Sequence, residues 1–169
     1  MIYESGRPFS SLDSFNVTLC RPTAFAGGTT DARGDKDGAD VAHTLFTVTG
    51  DVLVRLYGVC TTDLAGATAT VQVGVTGNTA SLIALTTATD IDANEIWPDT
   101  TPVVGVELLA NVLGPYIVVN GLDIIETVAT ADITSGNTYY VCLWRPLSVG
   151  QDAAGNSIAG NIVAAGTQI

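Results

Sequence analysis

The sharpest chemical signal in the chain is the run Asp35-Lys36-Asp37-Gly38-Ala39-Asp40. Carboxylates at alternate positions around a glycine are how a loop converges hard oxygen ligands on calcium, so Asp35, Asp37 and Asp40 are candidate metal ligands. The full EF-hand loop ending in Glu is absent, and no helices are expected beside it. A solvated acidic loop is the commoner meaning of such a run. The same segment holds Arg33-Gly34-Asp35, the tripeptide of integrin adhesion, which is short enough to arise by chance.

Other reactive groups are sparse. His43 is the one histidine, so a cluster of several imidazoles is excluded, and any Ser-His-Asp triad would have to be built on this ring. A strand-edge position is its simpler reading. No glycine-rich loop ends in Lys-Ser or Lys-Thr, and no Gly-x-Gly-x-x-Gly sits between a strand and a helix, which removes the common phosphate cradles. Asp90, Asp92 and Glu95, or Asp123 and Glu126, would serve acid–base work only if a cleft gathered them. Trp97, Tyr139, Tyr140 and Trp144 do not form a spaced series that stacks bases or sugars. They read as core or interface anchors. No catalytic residue is assigned and no enzyme is expected.

The elements that must position these residues are β-strands. The chain has 169 residues, rich in Ala, Val, Thr and Gly with a single Lys, and no window carries a sustained helical stripe. That length suits one domain with extensions, able to bury a core without metal or disulfide staples. Six basic residues against seventeen acidic ones give a formal charge of −11, so phosphate backbones and anionic lipid should repel the chain. Neither nucleic acid nor membrane is an expected partner. The start, Met-Ile-Tyr-Glu-Ser-Gly-Arg, lacks the basic and apolar regions of a signal peptide. Cys20, Cys60 and Cys142 stand in apolar, strand-like contexts at wide spacing, which suggests reduced core thiols and folding in a cytoplasm.

Three regions follow from the pattern. Residues 1–40 read as an N-terminal arm with a Gly/Asp-rich loop, containing one strand candidate at 15–20. Turn signals recur about every ten residues across 41–148, the cadence of an antiparallel β-sandwich or jelly-roll-like barrel of about eight to nine strands. Residues 149–169 are mostly small and too poor in apolar bulk for a core of their own, an extended C-terminal tail. Within the middle region, Gly50-Asp51 joins two β-rich runs and suits a type II′ hairpin, and Asn120-Gly121 is the strongest hairpin signal. The first hairpin carries apolar residues on both faces, with Phe46, Val48, Leu53 and Tyr57 as candidate interface residues for a neighbouring subunit.

The run from Leu45 to Thr62, Leu-Phe-Thr-Val-Thr-Gly-Asp-Val-Leu-Val-Arg-Leu-Tyr-Gly-Val-Cys-Thr-Thr, and the closing Trp144-Arg145-Pro146-Leu147 resemble a family of small proteins encoded beside structural genes of tailed bacteriophages. The resemblance covers about 45–147 as a pattern and carries no functional residues to transfer. It implies a non-enzymatic virion structural protein, made in the host bacterial cytoplasm. The implied role is a head decoration or cement protein, a homo-oligomer with a trimer favoured, bound to the major capsid protein or other virion proteins. A tail, neck or fibre component binding a receptor or glycan, with calcium as its one candidate cofactor, is the alternative.

Overall fold

The computed structural model describes residues 15–37, 41–108, 114–147, 149–151 and 157–165. Among them, every regular element is a strand except one short 3-10 turn at Ala88–Asp90. The molecule is all-β, with two antiparallel sheets packed as a sandwich.

The first sheet runs in the order β1 (Asn16–Cys20), β10 (Ser135–Pro146), β3 (Val52–Ala65), β6 (Glu95–Trp97) and β7 (Val103–Val104). A further strand, β8 (Tyr116–Val118), pairs with the start of β3. The second sheet runs β13 (Asn161–Ala164), β2 (Ala42–Thr49), β9 (Ile124–Ala129), β4 (Thr70–Val75) and β5 (Asn78–Thr87). A separate ribbon pairs β11 (Val149–Gln151) with β12 (Ser157–Ala159).

Period-two alternation builds the core. On β3, Val52, Val54, Leu56 and Cys60 are buried and point between the sheets, as strand geometry requires of alternate residues. Gly58 shares that face because a Cβ there would stand 3.0 Å from Trp97 and 3.2 Å from Tyr140. The missing side chain makes room for two large rings. On β2 the register slips between Thr44 and Phe46, and such a bulge lets Leu45 and Phe46 both be fully buried although they are neighbours.

Both strong hairpin signals turn out to be crossings between sheets. Gly50 has φ of 65°, as a tight turn there needs, but β2 is flanked by β13 and β9 while β3 lies in the opposite sheet. Asn120 and Gly121 also take positive φ, at 56° and 66°, and they carry the chain from β8 in the first sheet to β9 in the second. The two crossings are bonded to each other: the Gly121 N–H donates to the Gly50 carbonyl at 3.1 Å, and the Asn120 N–H to Asp51 Oδ1 at 3.0 Å. The hairpin around Gly77, by contrast, joins β4 to β5 within one sheet.

One strand from each of the N-terminal and C-terminal regions is paired within the sandwich sheets. From the N-terminal region β1 pairs with β10, and from the C-terminal region β13 pairs with β2, burying Ile162 and Ala164. These two edge strands meet. Trp144 Nε1 donates to Thr18 Oγ1 at 2.9 Å, and the Thr18 hydroxyl donates to the Ile162 carbonyl at 3.4 Å. On the opposite side Trp97 Nε1 donates to Thr86 Oγ1 at 2.9 Å, tying β6 to β5.

Because Ile162 is core rather than tail, Ile162→Ala should lower stability by about 2–5 kcal/mol in urea denaturation. A loosely attached tail would leave the transition where it was.

Candidate functional site

The polar groups that the fold gathers most tightly lie between the sheets. Arg33 and Glu126 form an ion pair with both side chains about 1% exposed. The guanidinium grips the carboxylate with two nitrogens, Nε to Oε1 at 2.9 Å and Nη2 to Oε2 at 2.6 Å. Its Nη2 also donates to Thr138 Oγ1 at 2.7 Å, and Nη1 donates to the Thr23 carbonyl at 2.7 Å. The Tyr140 hydroxyl donates to Glu126 Oε2, and Phe25 lies under the guanidinium with its ring centre 3.7 Å from Cζ. This fork-on-fork geometry is the strong form of a charge-assisted hydrogen bond.

Each member comes from a different element. Glu126 sits in Ile124-Ile125-Glu126-Thr127-Val128 on β9, where alternation gives it the inward parity of Ile124 and Val128. Thr138 and Tyr140 are inward on β10. Arg33 arrives from the Gly/Asp-rich loop, held by backbone bonds from Ala26 N–H to the Arg33 carbonyl and from Ile133 N–H to the Gly34 carbonyl. Gly34 has φ of 101°, and the Ile133 carbonyl stands where a Cβ would be. Only glycine fits there.

Burial by itself would push the Arg33 pKa down, but the charge and hydrogen bonds of Glu126 override it, and the net direction is up. Burial, with the neighbouring Glu126 charge, holds the Tyr140 phenol well above its ordinary value. Arg33 therefore stays charged and Tyr140 neutral. The cluster is enclosed, and its charged and hydroxyl groups are hydrogen-bonded to one another. It acts as a clamp that fixes the loop 23–37 to both sheets.

The sequence reading missed this clamp, although one signal for it was present: a carboxylate at inward parity in an apolar strand needs a cationic partner. Arg33-Gly34-Asp35 is not displayed for adhesion, since Arg33 is buried and Asp35 nearly so.

The remaining candidates are dispersed. Asp35 Oδ2 accepts from the Asp31 N–H and Oδ1 from the Asp37 N–H, each at 3.0 Å, and Lys36 pairs with Asp37. The Asp35 carboxylate thus braces its own loop. Asp40 lies outside the described residues, and among those described no group of three or more His, Cys, Asp and Glu side chains is placed to hold a metal. His43 stands opposite Glu126 in the β2–β9 register. Asp90 and Asp92 are exposed, whereas Glu95 is buried and accepts from the Asp92 N–H at 2.8 Å. Asp123 accepts from the Val48 N–H at 3.1 Å, so it does not pair with Glu126.

The four candidate interface residues divide between two places. Phe46 and Val48 are buried in the core between the sheets and cannot meet a neighbour, because β2 turns them toward β3 rather than away from it. Leu53 and Tyr57 alternate to the outer face of the first sheet. On that face a cleft of about 280 Å³ lies among Arg21, Pro22, Thr61, Asn137, Thr138 and Tyr139, with Arg21 over the Tyr139 ring at 5.5 Å.

The three thiols are free and buried, and burial raises Cys20 and Cys60 to about 11 and Cys142 further still. No protein-family model matches the chain, and neither characterised proteins nor solved structures give a match.

Removing one partner of the clamp strands the other charge in the core, so Arg33→Ala should cost about 3–5 kcal/mol by denaturant titration. Replacing the pair together, as Arg33→Met with Glu126→Leu, should recover most of that loss. The thiols make a second expectation. Their folded pKa values lie above the ordinary 9.0, so the stability they contribute is complete below pH 9 and is lost as pH climbs toward 11. A melting temperature followed across that window should fall, and a thiol reagent at neutral pH should label the protein only after unfolding.

Proposed function

We propose that the chain is a non-enzymatic structural protein that works by assembly, as a head decoration or cement protein of a tailed-bacteriophage virion. Its proposed partners are other copies of itself and the major capsid protein. The observation that carries this reading is the outer face of the first sheet.

That face is apolar where an outer sheet face is usually wet. The strand registers set Leu53 beside Ile117, and Val17 beside Leu143. Leu19 and Tyr57 both neighbour Val141, while Val59 lies between Tyr139 and Ile96. Val17, Leu19 and Ile117 are exposed on this face, whereas Leu53, Val141 and Leu143 between them are nearly buried. The outward positions of the second sheet are different in kind, with Thr44, Thr47, Thr127 and Gln72 among them. Of the exposed large apolar residues among those described, only Leu85 and Val163 lie on the second sheet. Exposed apolar side chains grouped on one sheet face are a feature of interaction surfaces.

The enclosed clamp and the dispersed carboxylates offer nothing comparable for catalysis. The receptor- or glycan-binding alternative gains no specific support, since the loop that would hold calcium spends the Asp35 carboxylate on its own backbone. The pattern resemblance at Leu45–Thr62 and at Trp144–Leu147 points the same way as the apolar face.

The test uses the full chain and genome-emptied phage heads. The chain should co-sediment with heads, saturating at a simple ratio to the major capsid protein. Deleting residues 1–14 keeps β1 and Arg33 and should weaken head binding. Failure of the full chain to bind any head preparation would remove the decoration role.

A further inference from the structure

The cleft beside the end of β1 holds two polar groups whose bonding is incomplete. Its walls are Arg21, Pro22, Thr61, Asn137, Thr138 and Tyr139, around a volume of about 280 Å³. Asn137 stands between two irregularities of the β10–β3 register, one on each side of it. Bulges of this kind redirect a side chain and occur often beside functional sites. The Asn137 backbone carbonyl accepts from the Thr61 hydroxyl at 3.2 Å, but the side-chain Oδ1 is sealed from solvent and has no hydrogen-bond partner among the described residues. A buried acceptor without a donor is costly, and folded chains keep few of them.

Arg21 is the complementary case. It is exposed, and its guanidinium lies 5.5 Å from the centre of the Tyr139 ring, within the range of a cation–π contact. That contact consumes none of its N–H donors. The ion pairs of the described residues, Arg33–Glu126 and Lys36–Asp37, do not include it. The cleft therefore offers a charged fork of donors and an acceptor still lacking its donor.

We propose that this cleft binds an acidic amino-acid residue, with the carboxylate forked on Arg21 and the amide N–H of the same residue donating to Asn137 Oδ1. A guanidinium matches a carboxylate through two parallel hydrogen bonds. One cation, on a chain of net charge −11, suits a single negative charge better than a phosphate dianion. An amide N–H supplies a donor without bringing lone pairs that would themselves need partners. The cleft volume of about 280 Å³ equals about nine waters at roughly 30 Å³ each, which is room for one residue of that size. The inference goes beyond the assembly reading and does not rest on it, because a free capped residue and one within a polypeptide present the same groups.

Amide NMR on the isotope-labelled full chain tests it, with N-acetylglutamate methylamide as the probe. The resonances of Arg21, Thr61, Asn137, Thr138 and Tyr139 should shift together and saturate at low millimolar probe. Acetate has the carboxylate without the N–H, and N-acetylglutamine methylamide has the N–H without the charge. Each should bind at least about tenfold more weakly. Arg21→Gln and Asn137→Ala should both lose the shift. Because Oδ1 has no partner to give up, Asn137→Ala should not lower the melting temperature, which separates lost recognition from a damaged fold. A peptide with one Glu among alanines, titrated in parallel, distinguishes the sources: tighter binding than the probe assigns the cleft to a polypeptide, weaker binding to a free ligand. No saturable shift from the probe at millimolar concentrations, shifts confined to residues away from the cleft, or acetate binding as tightly as the probe would each overturn the proposal.

Discussion

A guanidinium and a carboxylate, both sealed from water, join a loop and the two sheets at one buried point. Glu126 on β9 belongs to the second sheet, Thr138 and Tyr140 on β10 to the first, and Arg33 to a loop of glycine and aspartate. A carboxylate alone between two apolar sheets would carry a desolvation penalty of several kcal/mol, so the strand can hold Glu126 inward only because Arg33 reaches it. The loop has the reverse problem. It has too little apolar surface to order itself, and the clamp, with Phe25 packed beneath, supplies the anchor that its composition lacks. What that arrangement contributes beyond energy is uniqueness, since a bidentate pair fixes the loop in one position over the sheets.

Periodicity carried the class of the fold, because alternation is a local property. Val52, Val54 and Leu56 announce a strand with one buried face whatever that strand pairs with. Pairing is not local. Gly50-Asp51 and Asn120-Gly121 allow the chain to reverse, and both do mark reversals, yet neither fixes whether the next strand returns beside its predecessor or on the opposite sheet. That choice was made by β13 and β9, which occupy both edges of β2. Once β3 is displaced to the other sheet, Phe46 and Val48 change from interface candidates into core, while Leu53 and Tyr57 keep an outward face. A single topological fact therefore moved half of the expected interface.

The same reasoning explains why the ends of the chain looked like arms. Asn161-Ile162-Val163-Ala164 is too short and too small in volume to declare itself a strand, and its stability comes from the edge of β2 and from contact with β1 across the seam. Short edge strands earn their order from the sheet they join. Glu126, on the other hand, was legible: its parity alone demanded a partner. What the sequence withheld was which cation would answer, since Arg33 is ninety-three positions away and sits in a segment whose composition argues against order.

Net charge is the property that the folded chain reinterprets most. As a sum, −11 suggests that copies of this protein repel one another. As a distribution it is uneven, because the two sheets carry unlike outer faces and the charges are sorted between places. Arg33 is consumed inside, Arg21, Arg55 and Arg145 line an apolar face, and exposed aspartates gather where the loops of one end converge. Repulsion between net charges is screened over about 8–10 Å at physiological ionic strength, while opposed patches act at contact, where water is expelled and each pair interacts more strongly. Net charge therefore sets the long-range term, and the placement of each charge sets the contact term.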